Sequence, residues 1–284
     1  MRQGESKVQQ MGNEGRRTKD EKKNISSRLF SIVPRASSLV PRPTPNSCFG
    51  EKISTTLPTL QSAIRNPQSL RIGLFGGAFN PIHLGHLRAG IEIQEAFSLS
   101  QVLYIPTALP PHKETTNLIP FAHRLKMIRL AIAGYPFFKV SDVEKKRKGK
   151  SYTIQTVRFF KKTFGPKWEI YFIVGLDAFL EINTWKSYRD LFCLCHFVVM
   201  DRPGYHRDHL NAFLLREISP DIIFLPEENR FQHPAGFSIF VFPITLMDIS
   251  STRIRLLRQQ KKSIRYLLPE KVEDYIVSKN FYAL

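Results

Sequence analysis

The chain has 284 residues, 42% of them hydrophobic and 23% charged, with 42 Lys and Arg against 24 Asp and Glu, a formal net charge of +18. This composition excludes collagen, coiled coil and a chain disordered throughout, and no run approaches the roughly 18–20 apolar residues of a membrane span. Three cysteines, Cys48, Cys193 and Cys195, are too few for a disulfide framework or a four-ligand zinc set, so a reducing compartment and a cytoplasmic location are expected.

The charge is uneven. Residues 1–70 carry 12 basic and 5 acidic side chains, and the other 214 carry 30 and 19. Residues 1–68 hold six prolines and little apolar periodicity, and they read as a basic, Pro/Ser-rich tail without a packed core. Residues 69–284 read as the folded domain. A basic surplus serves solubility or a polyanion, either nucleic acid or nucleotide phosphate. Neither a Cys-Cys-His-His finger spacing nor an aromatic-Gly-aromatic RNA-binding strand is present, so nucleic acid is not expected as a partner. The oligomeric state is left open, a homo-oligomer included.

In chain order, strands are expected at 71–75, 101–106, 137–142, 169–174, 196–200, 221–225 and 238–242. Helices are expected at 84–97, 123–133, 152–163, 178–183, 188–192, 209–217, 251–260 and 269–280. Strands that alternate with helices and are apolar on both faces imply a parallel sheet covered on both sides. The fold class is therefore α/β, a doubly wound, Rossmann-like sheet. Its ligands belong at the carboxyl ends of the strands. Cys193 and Cys195 are expected in the core.

Residues 71–90 read RIGLFGGAFNPIHLGHLRAG. A strand ends, Gly76 and Gly77 allow a tight turn or close approach of a ligand, and a helix opens near Leu84. This is neither G-x-G-x-x-G nor a Walker P-loop. Instead His83 and His86 stand three apart around Gly85, on one helix face at the end that attracts phosphate. Zinc is the rival use of such a pair, but no third ligand is apparent.

A second anion site is suggested by Ser250, Ser251 and Thr252, which open a helix ahead of Arg255. One hydroxyl suffices for a cap. Three hydroxyls, free N–H groups and an arginine suit a polyphosphate. Gly175 follows an apolar strand and permits close approach of a ring or ribose. Asp177 either accepts from a ribose hydroxyl or base amine, or caps the next helix. Arg202 ends a strand, which is a ligand position or a turn. Trp185 is either a core anchor or a stacking face.

The stretch Gly76-Gly77-Ala78-Phe79-Asn80-Pro81-Ile82-His83-Leu84-Gly85-His86 resembles the signature of the HxGH nucleotidylyltransferase superfamily. Further matches resemble bacterial nicotinate-nucleotide adenylyltransferases. They are Pro110-Pro111-His112-Lys113, His123-Arg124, Glu144, Ser151-Tyr152-Thr153, Gly175-Leu176-Asp177, Thr184-Trp185 and Arg202-Pro203-Gly204. Ile249-Ser250-Ser251-Thr252-Arg253-Ile254-Arg255 and Leu268-Pro269 complete them, so the resemblance covers about residues 70–284.

The resemblance implies a nucleotidylyltransferase domain over 69–284, with ATP and nicotinate mononucleotide as substrates. The reaction is adenylyl transfer giving deamido-NAD and pyrophosphate, in NAD biosynthesis. The implied catalytic residues are His83, His86, Lys113 and Arg255. ATP is implied to meet Gly76, Gly77, Phe79, Gly175, Asp177, Arg202, Ser250, Ser251 and Thr252. Nicotinate mononucleotide is implied to meet Ser151, Tyr152, Thr153 and Trp185. Mg2+ is expected to arrive on the ATP phosphates with most of its water shell, without a protein metal site. The rivals are an enzyme using nicotinamide mononucleotide or phosphopantetheine and, in another class, a non-catalytic nucleic-acid-binding protein.

Overall fold

A computed structural model describes residues 70–110, 118–147, 149–201 and 207–283. The expected tail at 1–68, together with Lys113 and Arg202, lies outside the described residues. One sheet organises the rest. Its strands are β1 (Leu70–Gly77), β2 (Gln101–Pro106), β3 (Phe138–Val140), β4 (Trp168–Gly175), β5 (His196–Asp201), β6 (Ile223–Leu225), β7 (Arg230–Gln232) and β8 (Ser238–Pro243). Across the sheet the order is β3-β2-β1-β4-β5-β8-β7-β6.

From β3 to β8 every neighbouring pair in that order is parallel, while β7 pairs antiparallel with β8 and with β6. The wholly parallel sheet expected from the strand pattern is thus corrected at one flank. The connections are the reason. A parallel return needs a crossover of a dozen or more residues. The links between β6, β7 and β8 are short turns, closed by Asn229 at φ 48° and Gly236 at φ 90°.

The helices are α1 (Leu84–Ala96), α2 (Phe121–Ala131), α3 (Val143–Lys146), α4 (Thr153–Phe164), α5 (Leu176–Leu180), α6 (Tyr188–Leu191), α7 (Arg207–Phe213), α8 (Ser251–Gln259) and α9 (Glu270–Ser278). Two buried clusters flank the sheet. Ile72 and Leu74 of β1 face one, with Ile154, Val157 and Phe160 of α4. Phe75 faces the other, with Ile93 of α1, Ile254 of α8, and Val272 and Ile276 of α9. The period of two in β1 therefore separates two cores, which is why its apolar run has no polar face.

Several expected elements change shape. The helix expected at 178–183 divides into α5 and a 3-10 turn at Ile182–Thr184, and that at 209–217 into α7 and a π turn at Leu214–Ile218. Cys195 is buried as expected, but Cys193 is exposed, because it sits in the turn that follows α6. No helix among the described residues is long and apolar enough to cross a membrane.

Candidate active site

The chain leaves β1 and runs to β2 and β3 on one side, then returns to β4 and β5 on the other. Ligands favour the crevice at such a switch, at the carboxyl ends of the strands. A cavity of about 240 Å³ lies there. Gly76, Gly77 and Ala78 line it from the end of β1, and Phe172, Val174 and Gly175 from β4. Ser151, Tyr152 and Thr153 close it from the start of α4, and Trp185 and Lys186 from the loop after α5. Gly76, Gly77, Ser151, Tyr152, Thr153, Gly175 and Trp185, all singled out in the sequence, therefore line one cavity, whereas His83, His86, Ser250, Ser251, Thr252 and Arg255 are not among its lining residues.

Trp185 is a core anchor that also borders the cavity. It is half-buried and packs edge-on to Phe172 at 6.2 Å between ring centres. Ser151 is 9% exposed, and its hydroxyl accepts from the Ala108 and Leu109 N–H groups at 3.2 and 3.1 Å. The buried carboxylate of Glu144 accepts from Ala108 N–H at 3.3 Å and from the Thr156 hydroxyl at 2.9 Å. Together they fasten the segment leaving β2 to the start of α4.

At the start of α1 the histidines stack, with ring centres 3.7 Å apart. His83 is the N-cap and His86 lies one turn in. The His83 backbone N–H donates to His86 Nδ1 at 3.3 Å. With Nδ1 accepting, the neutral ring carries its proton on Nε2 and is a donor there. Burial holds the His86 pKa well below its usual value, and the neighbouring His83 adds to the depression. A Cβ built on Gly85 would sit 3.1 Å from His83 Nδ1, so glycine at that position leaves room for the ring.

Phe79 is packed inside the turn. It is 2% exposed, and its ring packs against His86 at 5.1 Å and against Phe75 at 5.8 Å. Its ring supports the histidine and presents no face to a nucleotide. Asp177 is exposed on the first turn of α5 and is not among the residues lining the cavity, whereas its neighbours Gly175 and Ala178 are.

The two helix starts expected to bind phosphate are brought side by side. Ser251 Oγ donates to the Pro81 carbonyl at 2.8 Å, and Arg255 Nη1 to the Asn80 carbonyl at 2.9 Å. Ser250 caps α8, its hydroxyl accepting from Arg253 N–H at 3.1 Å, and Thr252 Oγ1 accepts from Arg255 Nη2 at 3.2 Å. In this state the two serine hydroxyls and Arg255 are thus engaged with the protein itself.

The sequence reading missed the groups that hold the turn between β1 and α1. Arg124, 1% exposed, donates to the Ala78 carbonyl at 2.7 Å and to the Ile119 carbonyl at 3.1 Å. The resemblance marked Arg124 without a role, and a buried arginine signals partners of this kind. With the carbonyls of Ala78, Asn80 and Pro81 all held by side chains, the turn is fixed ahead of any ligand. Among the described residues no group of three or more His, Cys, Asp or Glu side chains is placed to hold a metal ion.

Residues 74–257 match the family model for cytidylyltransferase-like proteins. A Geotalea daltonii protein named "Probable nicotinate-nucleotide adenylyltransferase" is 44% identical over 213 residues, covering 75% of this chain and 98% of that one. The chain belongs to the nicotinate-nucleotide adenylyltransferase family. Another member, from Geobacter sulfurreducens and with the same name, is 42% identical over 214 residues, covering 75% of this chain and 99% of its own. The fold is similar to that of the Plasmodium falciparum nicotinic acid mononucleotide adenylyltransferase complexed with NaAD, with a TM-score of 0.59 at 19% identity, covering 75% of this chain and 97% of that one. The expected family and doubly wound fold are thus both found.

Proposed function

We infer that this chain transfers the adenylyl group of ATP to nicotinate mononucleotide, releasing pyrophosphate and forming deamido-NAD, a step of NAD biosynthesis. The observation that carries the reading is the shared cavity. Its lining joins the glycine exit of β1 to the α4 start and Trp185, while the stacked histidines and the α8 start lie further along the turn that follows β1, outside the lining. A flat-ring surface beside a glycine exit that leads to two helix starts supports the joining of two nucleotides.

The acceptor's 5′-phosphate is already a nucleophile, so the protein needs no Ser, Cys or His nucleophile. It attacks the α-phosphorus in line, and the bond to the β-phosphate oxygen breaks. Catalysis then rests on position and on stabilising the charge that builds on the phosphates. His86, neutral and with Nε2–H outward from its internal bond, acts as a donor, and His83 beside it shares the task. Ser250, Ser251, Thr252 and Arg255 take the β- and γ-phosphates by exchanging their internal bonds for phosphate oxygens. Lys113 neutralises either the acceptor phosphate or the charge of the transition state. Mg2+ comes with ATP and supplies charge neutralisation on the phosphate oxygens.

The acid is distinguished from the amide at the α4 start, where N–H groups without helical partners suit a carboxylate. An unpaired buried polar group costs about 1–3 kcal/mol, roughly 5- to 150-fold in selectivity. The test is pyrophosphate release with ATP and each mononucleotide in turn. The expected result is a kcat/KM for the nicotinate form about tenfold or more above that for the amide. A preference for the amide, or equal values, overturns the substrate assignment. No release with either overturns adenylyl transfer.

A further inference from the structure

We propose that Lys186 is a specificity-determining residue, presenting a cation to the carboxylate of the pyridine ring and so favouring the acid over the amide. The inference deepens the adenylyl-transfer reading and rests on it. Among the described residues lining the cavity, Lys186 and Glu181 are the side chains with a full charge at neutral pH. They flank Trp185 in the chain, so any ring accepted beside Trp185 lies among them.

The two charges are not equivalent. Lys186 Nζ stands over the ring of Tyr152, 4.7 Å from its centre. Tyr152 is the N-cap of α4. The ammonium is thus held at the helix start, where the first N–H groups already favour an anion. Lys186 and Glu181 are both exposed, but Lys186 alone of the two is seated on an aromatic face, which positions its charge beside the start of α4. Glu181 precedes the 3-10 turn, and Lys186 follows it next to Trp185. The helix N–H groups select the acid through the donor left unpaired against the carboxamide NH2. A fixed cation adds attraction for a net charge that the amide lacks.

The experiment is competition of the two mononucleotides for full-length protein with ATP, reading the ratio of their kcat/KM values. That ratio is independent of the fraction of active protein, so partial misfolding of a variant does not distort it. Lys186→Met is expected to lower the acid-over-amide ratio by about fivefold or more. Lys186→Arg, which keeps the charge, is expected to stay within about twofold of the parent. An unchanged ratio in Lys186→Met overturns the role of Lys186 while leaving adenylyl transfer intact. A parent protein with no acid preference overturns the substrate reading itself, and this proposal with it.

Discussion

The hydroxyl of Tyr282 donates to Asn80 Oδ1 at 2.8 Å, joining residues 202 positions apart. Asn80 is buried, and its side chain also accepts from Ile119 N–H at 3.4 Å. Burial raises the Tyr282 pKa, so the hydroxyl keeps its proton and remains a donor. Tyr282→Phe removes that donor and leaves Asn80 with the longer bond. The expected loss is about 1 kcal/mol of stability, a fall in thermal midpoint of about 2–4 °C, with a severalfold lower kcat. Unchanged melting and turnover would show that the turn does not depend on this contact.

The stacked imidazoles predict graded effects. His86→Ala removes a phosphate donor and is expected to lower kcat by about 10²–10³ with the fold retained. Gly85→Ala puts a methyl group 3.1 Å from His83 Nδ1 and displaces that ring without removing it. Its loss in kcat is expected to be smaller than that of His86→Ala. Steady-state turnover beside circular dichroism decides both. Near-normal kcat in a folded His86→Ala protein would remove the histidine from the mechanism.

Three imidazoles make stability depend on pH. Burial lowers the His196 pKa to about 4, holds His86 well below 6.5 and lowers His233 as well. In the unfolded chain all three bind a proton as pH falls through about 6.5. The folded protein resists that protonation, so the unfolded state binds more protons and stability falls with acidification. The contribution is fully present above about 6.5 and is lost as pH drops towards 4. Urea midpoints measured from pH 7.5 to 4.5 should fall. In His196→Asn the slope should be shallower by up to one proton, and an identical slope would exclude His196 as a source.

Deletion of residues 1–68 is expected to leave the thermal midpoint and kcat nearly unchanged. The proline content and weak apolar periodicity of the segment argue against a packed role. An insoluble or inactive truncated protein would place the segment within the fold.

Much of the parallel sheet was legible because its strands are long apolar runs with sharp boundaries. The 101–106 reading coincides with β2, and the 251–260 reading with α8 to within one residue. The three-residue strand β7 was not legible, since Arg230-Phe231-Gln232 shows one apolar residue and takes its pairing from β8. Of the candidate site, the glycines, histidines and serines stand in local patterns that a sequence displays. Arg124 and Glu144 were marked by the resemblance without a role, and Tyr282 was not marked, because each acts on backbone or side chains far away in sequence. The direction of the Phe79 ring was not legible either, because packing sets it, here against His86.

The turn between β1 and α1 is closed by late-arriving residues. Its Pro81 and Asn80 carbonyls are held by Ser251 and Arg255, which follow the last strand in the chain. During synthesis on the ribosome every strand therefore emerges before the donors to these two carbonyls, whereas Arg124, which holds the Ala78 carbonyl, emerges early. Ile254, Ile264, Leu268, Val272 and Ile276, which complete one of the two cores, arrive in the same final stretch. A nascent chain halted after β8 has all its strands but lacks these clasps and part of the hydrophobic cover that seats them. Competence for chemistry is thus acquired after the scaffold, and a premature stop within this stretch silences the site without removing a strand.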